Sequence, residues 1–293
     1  MRLRDFLLLV AVCLTWGFSN VLSKIVVGDW HVPPLFFAAV RFAVVLAVTA
    51  RWLLPMPRPA WRILAIGALM GGGNFALLFI GLQTASPSMA AVVIQAGVPI
   101  TTLLSVVMLG ERIRWRRGLG IALTLAGVLL VVWRPGLVIS RGLLFVLAAA
   151  GAGSLGAILM KQSARIAPLR FQAWVGLCGV VPLGLASAVF EHGQWGRAVA
   201  VGWPFVGALL FSALVVSVCA HTAYYWLIAR YEANLLAPLT LMTPLSTIAL
   251  GVTITGDRLD ARMMLGSALA LLGVLVIAIR RGNAPIAEGQ ERS

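Results

Sequence analysis

Carboxylates are scarce in this chain. Nine Asp and Glu stand against 23 Lys and Arg in 293 residues. Each of the nine (Asp5, Asp29, Glu111, Glu191, Glu232, Asp257, Asp260, Glu288 and Glu291) falls at the end of an apolar run, in a loop or in the C-terminal tail. No apolar run therefore offers a central carboxylate for a proton relay. Also absent are a phosphate-cradling G-x-x-x-x-G-K-[ST] loop, a His/Cys cluster at metal-ligand spacing, and a nucleophile with its base. ATP-driven work by this chain alone, a metal or other cofactor, and enzymatic turnover are accordingly not expected. The three cysteines, Cys13, Cys178 and Cys219, lie inside apolar runs. They give no disulfide framework and read as small core residues.

What is abundant is apolar surface. With 61% hydrophobic and 11% charged residues and a mean hydropathy of +0.99, the chain carries more than a soluble globule of this length can bury, so lipid is its solvent. The net charge of +14 does not form a nucleic-acid patch, because the basic residues sit in short groups between apolar runs. A helix needs ~20 apolar residues to cross the hydrocarbon core. Runs over 6–27, 34–52, 61–82, 87–109, 116–133, 142–162, 170–190, 203–229, 233–255 and 262–280 predict an all-α membrane protein of ten transmembrane helices. Arg2 and Arg4 before Leu7 to Val12 resemble the start of a secretory signal, but no small-residue cleavage site follows, so the run is read as a retained first helix. Residues 282–293 form a polar tail expected to be disordered. With ten spans and a cytoplasmic N-terminus, 16 loop or end Lys and Arg fall inside and 5 outside, Lys24 and Arg41 being left in helices. That bias places both termini in the cytoplasm.

The chain repeats itself. Gly110-Glu111-Arg112 is followed by Gly120 and Gly127, and Gly256-Asp257-Arg258 by Gly266 and Gly273 at the same spacing. Each block follows a run with a central proline, Pro99 or Pro244, the two out of register by one residue. The repeats are assigned to 1–137 and 138–281. Five spans is an odd number, so the second repeat enters the membrane inverted. Inverted repeats are common in secondary carriers, whose solute sites lie at the repeat interface near the midplane.

Candidate contacts with a solute follow from polar or aromatic residues inside these runs. Trp16, Asn20 and Lys24 recur every fourth residue on one helix face; Trp16 reads as a packing residue or interface anchor as well as a ligand contact, and Lys24 is either a cation at an outer gate or a snorkelling interface residue. Asn74 follows Gly71-Gly72-Gly73 and precedes Phe75 and Phe79. A buried amide needs a partner, which a neighbouring helix can supply as well as a solute, and the same holds for Gln95, one turn before Pro99. Pro99 and Pro244 each free a backbone carbonyl for a cavity or a neighbour. His221 and Tyr225 share a face, with Tyr224 and Trp226 adjoining; they read as an aromatic lining or as packing and interfacial residues. Lys161 closes the sixth run as Lys24 closes the first, either as a gate or as a positive-inside residue. Glu111 and Asp257, at matching ends of the halves, read as structural charges at helix junctions.

With the repeat blocks, Trp16-Gly17 and the Asn20 to Lys24 pattern, the chain resembles the drug/metabolite transporter superfamily, specifically its EamA type with two repeats, over Arg4 to about Arg281. Within it the chain is similar to bacterial amino-acid exporters of the YddG type. The resemblance implies a basket of ten helices in a bacterial inner membrane, with a central cavity lined by spans 1, 3, 4 and 6, 8, 9, and with spans 5 and 10 as peripheral packing or dimer helices. It also implies export of aromatic and other neutral amino acids by alternating access; with no midplane carboxylate, facilitative uniport is the simpler mode. Drug or other metabolite export on the same scaffold, and a membrane-embedded enzyme or scaffold, are the alternatives. Expected partners are a small solute and membrane lipids, with monomer or homodimer left open. The sixth span departs from the pattern: Gly153 stands where the first span has Trp16, and no asparagine matches Asn20.

Overall fold

The computed structural model describes residues 1–110, 113, 115–133, 140–162, 166–231, 236 and 238–278. Among them the structure is all helical, without strands. Among the described residues nine helical segments are long and apolar enough to span a bilayer: α1 (Leu3–Asp29), α2 (Pro34–Trp52), α3 (Ala60–Thr84), α4 (Pro87–Leu109), α5 (Trp115–Val132), α6 (Arg141–Lys161), α7 (Pro168–Phe190), α8 (Trp203–Leu227) and, after a shorter apolar helix α9 (Met242–Ile254), α10 (Ala261–Ala278). A further short helix, Gln194–Val201, lies in the connection after α7; its length is that of a loop element, and the reading by apolar runs passes over it. The start of the expected ninth run, the tail over 282–293, and Glu111 with Arg112 lie outside the described residues.

Helix starts follow local chemistry. Pro34, Pro87 and Pro168 occupy the first turns of α2, α4 and α7, where a missing N–H costs nothing. The free N–H groups behind them are met by side chains. Glu191 at the end of α7 accepts from Leu35 N and Phe36 N at 2.8 and 2.9 Å. Ser86 Oγ accepts from Met89 N at 3.3 Å, and Asp257 Oδ2 from Ser88 N at 2.9 Å. Asp257 thus closes the junction of α4 with α9. Gly110 ends α4 in the left-handed conformation, φ +67°, the usual place for glycine.

These contacts sort the chain ends into two groups. At one end of the bundle, the Tyr231 hydroxyl donates to Asp5, Arg62 Nη1 to Gln162 O at 2.8 Å, and Trp174 Nε1 to Leu53 O at 3.1 Å. At the other, Lys24 Nζ donates to Gln83 O at 3.0 Å, Arg197 Nη1 to His31 O at 3.3 Å, and Glu191 and Asp257 make the caps just described. The two ends of each of α1, α2, α3 and α7 fall in opposite groups.

An extensive helix pairing joins α5 to α10. Its contacts are glycines: a Cβ on Gly120 would stand 2.8 Å from Gly273 O, and one on Gly266 2.9 Å from Gly127 O. Close approach of backbones through small residues is how helices associate without a hydrophobic drive between them. Gly120 and Gly266, and Gly127 and Gly273, are 146 positions apart. The repeat therefore carries one contact onto the other, and the pair runs antiparallel.

Candidate functional site

Two helices are interrupted where the halves face each other. α3 widens into π-helical turns over Ala68–Gly73 and α8 over Phe211–Ala220. The breaks end at Gly73 and Ala220, within one residue of the 146-residue repeat offset. A π-helical turn displaces backbone carbonyls from the α pattern and is often found at functional sites. In α8 two of these carbonyls are met by side chains: His221 Nδ1 lies 2.7 Å from Val216 O, and Ser217 Oγ donates to Ser212 O at 3.2 Å. Asn74 directly follows the break in α3, and His221 the one in α8.

Around these residues lie two adjoining chambers. The first, about 190 Å³, is lined by Asn74, Phe75, Gly153, Ser217, His221 and Tyr225 among others. The second, about 200 Å³, is lined by Trp16, Asn20, Arg41, Asn74, Phe79 and His221 among others. Together they fall in the lower part of the range of small-molecule sites, ~300–1,000 Å³. Their walls are aromatic: Phe75 packs on Phe42 and Phe79 with ring centroids 5.2 and 5.8 Å apart, and Trp16 packs on His221 at 5.1 Å.

Gly153, where the sixth span departs from the repeat pattern, borders Asn74 at the first chamber. Asn74 Nδ2 donates to Ala149 O at 2.7 Å, and a Cβ on Gly153 would stand 2.9 Å from that nitrogen. In the other half, Trp16 fills the corresponding place against His221. One side of the cavity is thus packed and the other open, and the missing side chain creates the first chamber. Gly17 acts similarly on α1: a Cβ there would crowd Ser246 Cβ at 3.0 Å. α9 lies close enough for Asn20 Nδ2 to reach Thr247 Oγ1 at 3.2 Å.

Of the residues singled out in the sequence, Trp16, Asn20, Asn74, Phe75, Phe79, His221 and Tyr225 meet in these chambers. Gln95 and Pro244 line a separate space of about 410 Å³, to which Trp16 and Asn20 also contribute; these two stand between it and the centre. Pro99 is buried in α4. Nearby, the Gly97 carbonyl accepts from Ser154 Oγ at 2.9 Å, which ties α4 to α6. Lys24 is committed to the Gln83 carbonyl at the end of α3. Lys161 ends α6. Trp226 is 43% exposed, with the Arg230 guanidinium 5.1 Å from its ring; it lines none of the cavities described here.

Arg41 is the residue the sequence reading passed over. It is set aside there as one of two cations without a loop position, yet it is 1% exposed and lines the second chamber. The available signal is its place within the apolar run of α2, since an ionisable residue inside a span is by default a functional candidate. Among the described residues no group of three or more His, Cys, Asp or Glu side chains is placed to hold a metal ion.

A helical bundle rich in membrane-length segments, with a cavity of aromatic walls and a few polar groups between its halves, defines a multi-pass membrane transporter. The family model for EamA-like transporters matches residues 4–133 and again 140–279, and the chain belongs to that family. A probable amino-acid metabolite efflux pump of Salmonella typhimurium is 28% identical over 287 residues, covering 94% of this chain and 95% of that protein. Its Escherichia coli counterpart, described in the same words, matches to the same extent. An uncharacterized inner membrane transporter of Escherichia coli, YedA, is 27% identical over 290 residues, covering 95% and 92%. One solved structure, described only as a crystal structure of a protein, superposes with a TM-score of 0.62 at 23% identity, over 94% of this chain and 96% of that one; this likeness concerns the fold.

Proposed function

We propose that the chain exports amino acids and closely related metabolites, with preference for neutral solutes bearing an aromatic or large apolar group, across a bacterial inner membrane. It does so by alternating access, as ten helices in two inverted repeats (1–137 and 138–281) with both termini cytoplasmic. The observation that carries the reading is the central cavity: it lies between the halves, is contributed to by both π-helical breaks, and combines aromatic walls with Asn74, Ser217 and His221. The apolar part of the solute lies against Phe75, Phe79 and Tyr225, and its polar end meets the amide and hydroxyl groups.

Two further features support it. The opposite grouping of helix ends and the self-mapping α5–α10 contact are what ten spans in inverted repeats produce. The names of the two efflux-pump relatives support the solute class. Uniport follows from the lining, in which none of the described chamber residues is a carboxylate.

Counterflow in proteoliposomes tests the reading. Vesicles loaded with unlabelled phenylalanine, tryptophan, methionine, leucine or threonine should take up the labelled compound transiently and saturably without a pH gradient. An imposed pH gradient should not drive accumulation above equilibrium. Folded, inserted protein that carries none of them would remove amino acids from the proposal, and uphill accumulation would remove uniport.

A further inference from the structure

Arg41 is a full positive charge buried without an anion. It lies seven residues into α2, about 10 Å from the start of the helix, and is 1% exposed. Its Nε and Nη2 both donate to one oxygen, Ser217 Oγ, at 3.1 and 2.9 Å. Its Cζ lies 4.7 Å from the Phe75 ring centroid and 5.9 Å from that of Phe79. Among the described residues no carboxylate pairs with it. Asp5 is held by Tyr231, Glu191 by the start of α2, Asp257 by the start of α4, and Asp260 Oδ1 accepts from Met263 N.

These partners orient the guanidinium without neutralising it. A cation over an aromatic ring and a hydrogen bond to a charged group each offset part of the cost of burial. An opposite charge is what meets the rest. The fork of a guanidinium matches a carboxylate bidentately, and Arg41 faces a chamber of about 200 Å³, large enough for a carboxylate with a modest side chain. The same chamber offers a positive ammonium no anionic partner among its described lining residues.

We propose that Arg41, braced by Ser217 and the rings of Phe75 and Phe79, binds the carboxylate of the transported solute, and that the cavity takes aromatic or apolar monocarboxylates whether or not they carry an ammonium group. This rests on the transport reading above and replaces its preference for neutral solutes with a requirement for the carboxylate. The carboxylate is required and the ammonium is dispensable, so 2-oxo and deamino forms of aromatic amino acids fall within the substrate class.

The test uses purified full-length protein and four probes: 3-phenylpropionate, phenylalanine, phenylalaninamide and phenethylamine. Isothermal titration and thermal shift should show 3-phenylpropionate binding at least as tightly as phenylalanine, and the two probes without a carboxylate at least tenfold more weakly. Arg41→Gln should weaken both carboxylates at least tenfold and abolish the discrimination against phenylalaninamide. Without ligand it should melt no lower than the unsubstituted protein, because a buried unpaired charge is removed; an arginine serving only structure would lower the melting temperature on loss. Ser217→Ala, which leaves the charge in place, should weaken 3-phenylpropionate several-fold and provides the comparison if Arg41→Gln does not fold. Unchanged 3-phenylpropionate affinity in folded Arg41→Gln or in Ser217→Ala, or phenethylamine binding as tightly as 3-phenylpropionate, overturns the assignment. Counterflow separates the two proposals. Arg41-dependent binding of 3-phenylpropionate without amino-acid counterflow supports the site and sinks the amino-acid reading, whereas phenylalanine counterflow with unchanged KM in Arg41→Gln does the reverse.

Discussion

Asn74 shows how one amide can serve structure and transport together. Its Nδ2 is spent on the Ala149 carbonyl, while the residue borders both central chambers. Hydrogen bonds between membrane helices average only about 0.6 kcal/mol, so Asn74→Ala should cost little folded protein. It should lower counterflow at least several-fold, and full activity would remove it from the site. Gly153→Val is the sharper substitution, since its Cβ would lie 2.9 Å from Asn74 Nδ2 and its methyl groups would project where the first chamber opens. Transport more than tenfold down, with folded protein still recovered in detergent, is the expected result. Trp226→Ala, at an exposed position, should leave transport within about twofold. The sequence made Asn74, His221 and their aromatic neighbours legible because polar groups are conspicuous in apolar runs. It did not separate Tyr225 from Trp226, adjacent on one helix, because which of them faces inward depends on the π-helical turns before them. Arg41 was visible as an ionisable residue within an apolar run, but only its burial separates it from Lys24, with which the sequence grouped it.

At the scale of elements, nearly every span was legible, since lipid demands long apolar runs and proline and glycine mark their ends. The breaks in α3 and α8 were not: nothing in Phe211–Ala220 signals a change of helical winding, which arises from how the segment packs. The glycines of α5 and α10 were legible as a repeat, and their reason is contact. A Cβ on Gly127 would stand 2.9 Å from Ala270 Cα, so Gly127→Val should destabilise the protein by about 1–3 kcal/mol through overpacking. A lower melting temperature in detergent would show it. Gly118→Ala on the same helix meets no atom within 4 Å, and it should be neutral or slightly stabilising, as alanine is the better helix former. Equal effects of the two would mean that the seam tolerates separation.

For the whole molecule, the distribution of Lys and Arg gives an orientation that chemistry can check. With the native cysteines replaced by Ser, a cysteine at Gln162 should react with an impermeant maleimide only from the cytoplasmic side. One at Gln194, in the connection after α7, should react only from the opposite side. The reverse pattern would invert the protein and turn the proposed export pathway around. The arrangement of these spaces was beyond the sequence, because Trp16 and Asn20 border both a central chamber and the space near Pro244 only once seven helices have assembled.

The reciprocal seam between α5 and α10 carries a consequence for how such a chain could have arisen. A contact that exchanges its two sides under the internal repeat is isologous, the kind two identical subunits make across a two-fold axis. An ancestral half with this glycine spacing, inserted in both orientations, would have carried a self-matching surface before any fusion of two copies. Fusion would then have freed each copy to change alone, and the divergence of Trp16 from Gly153 is the kind of asymmetry that a pair of identical subunits could not have acquired.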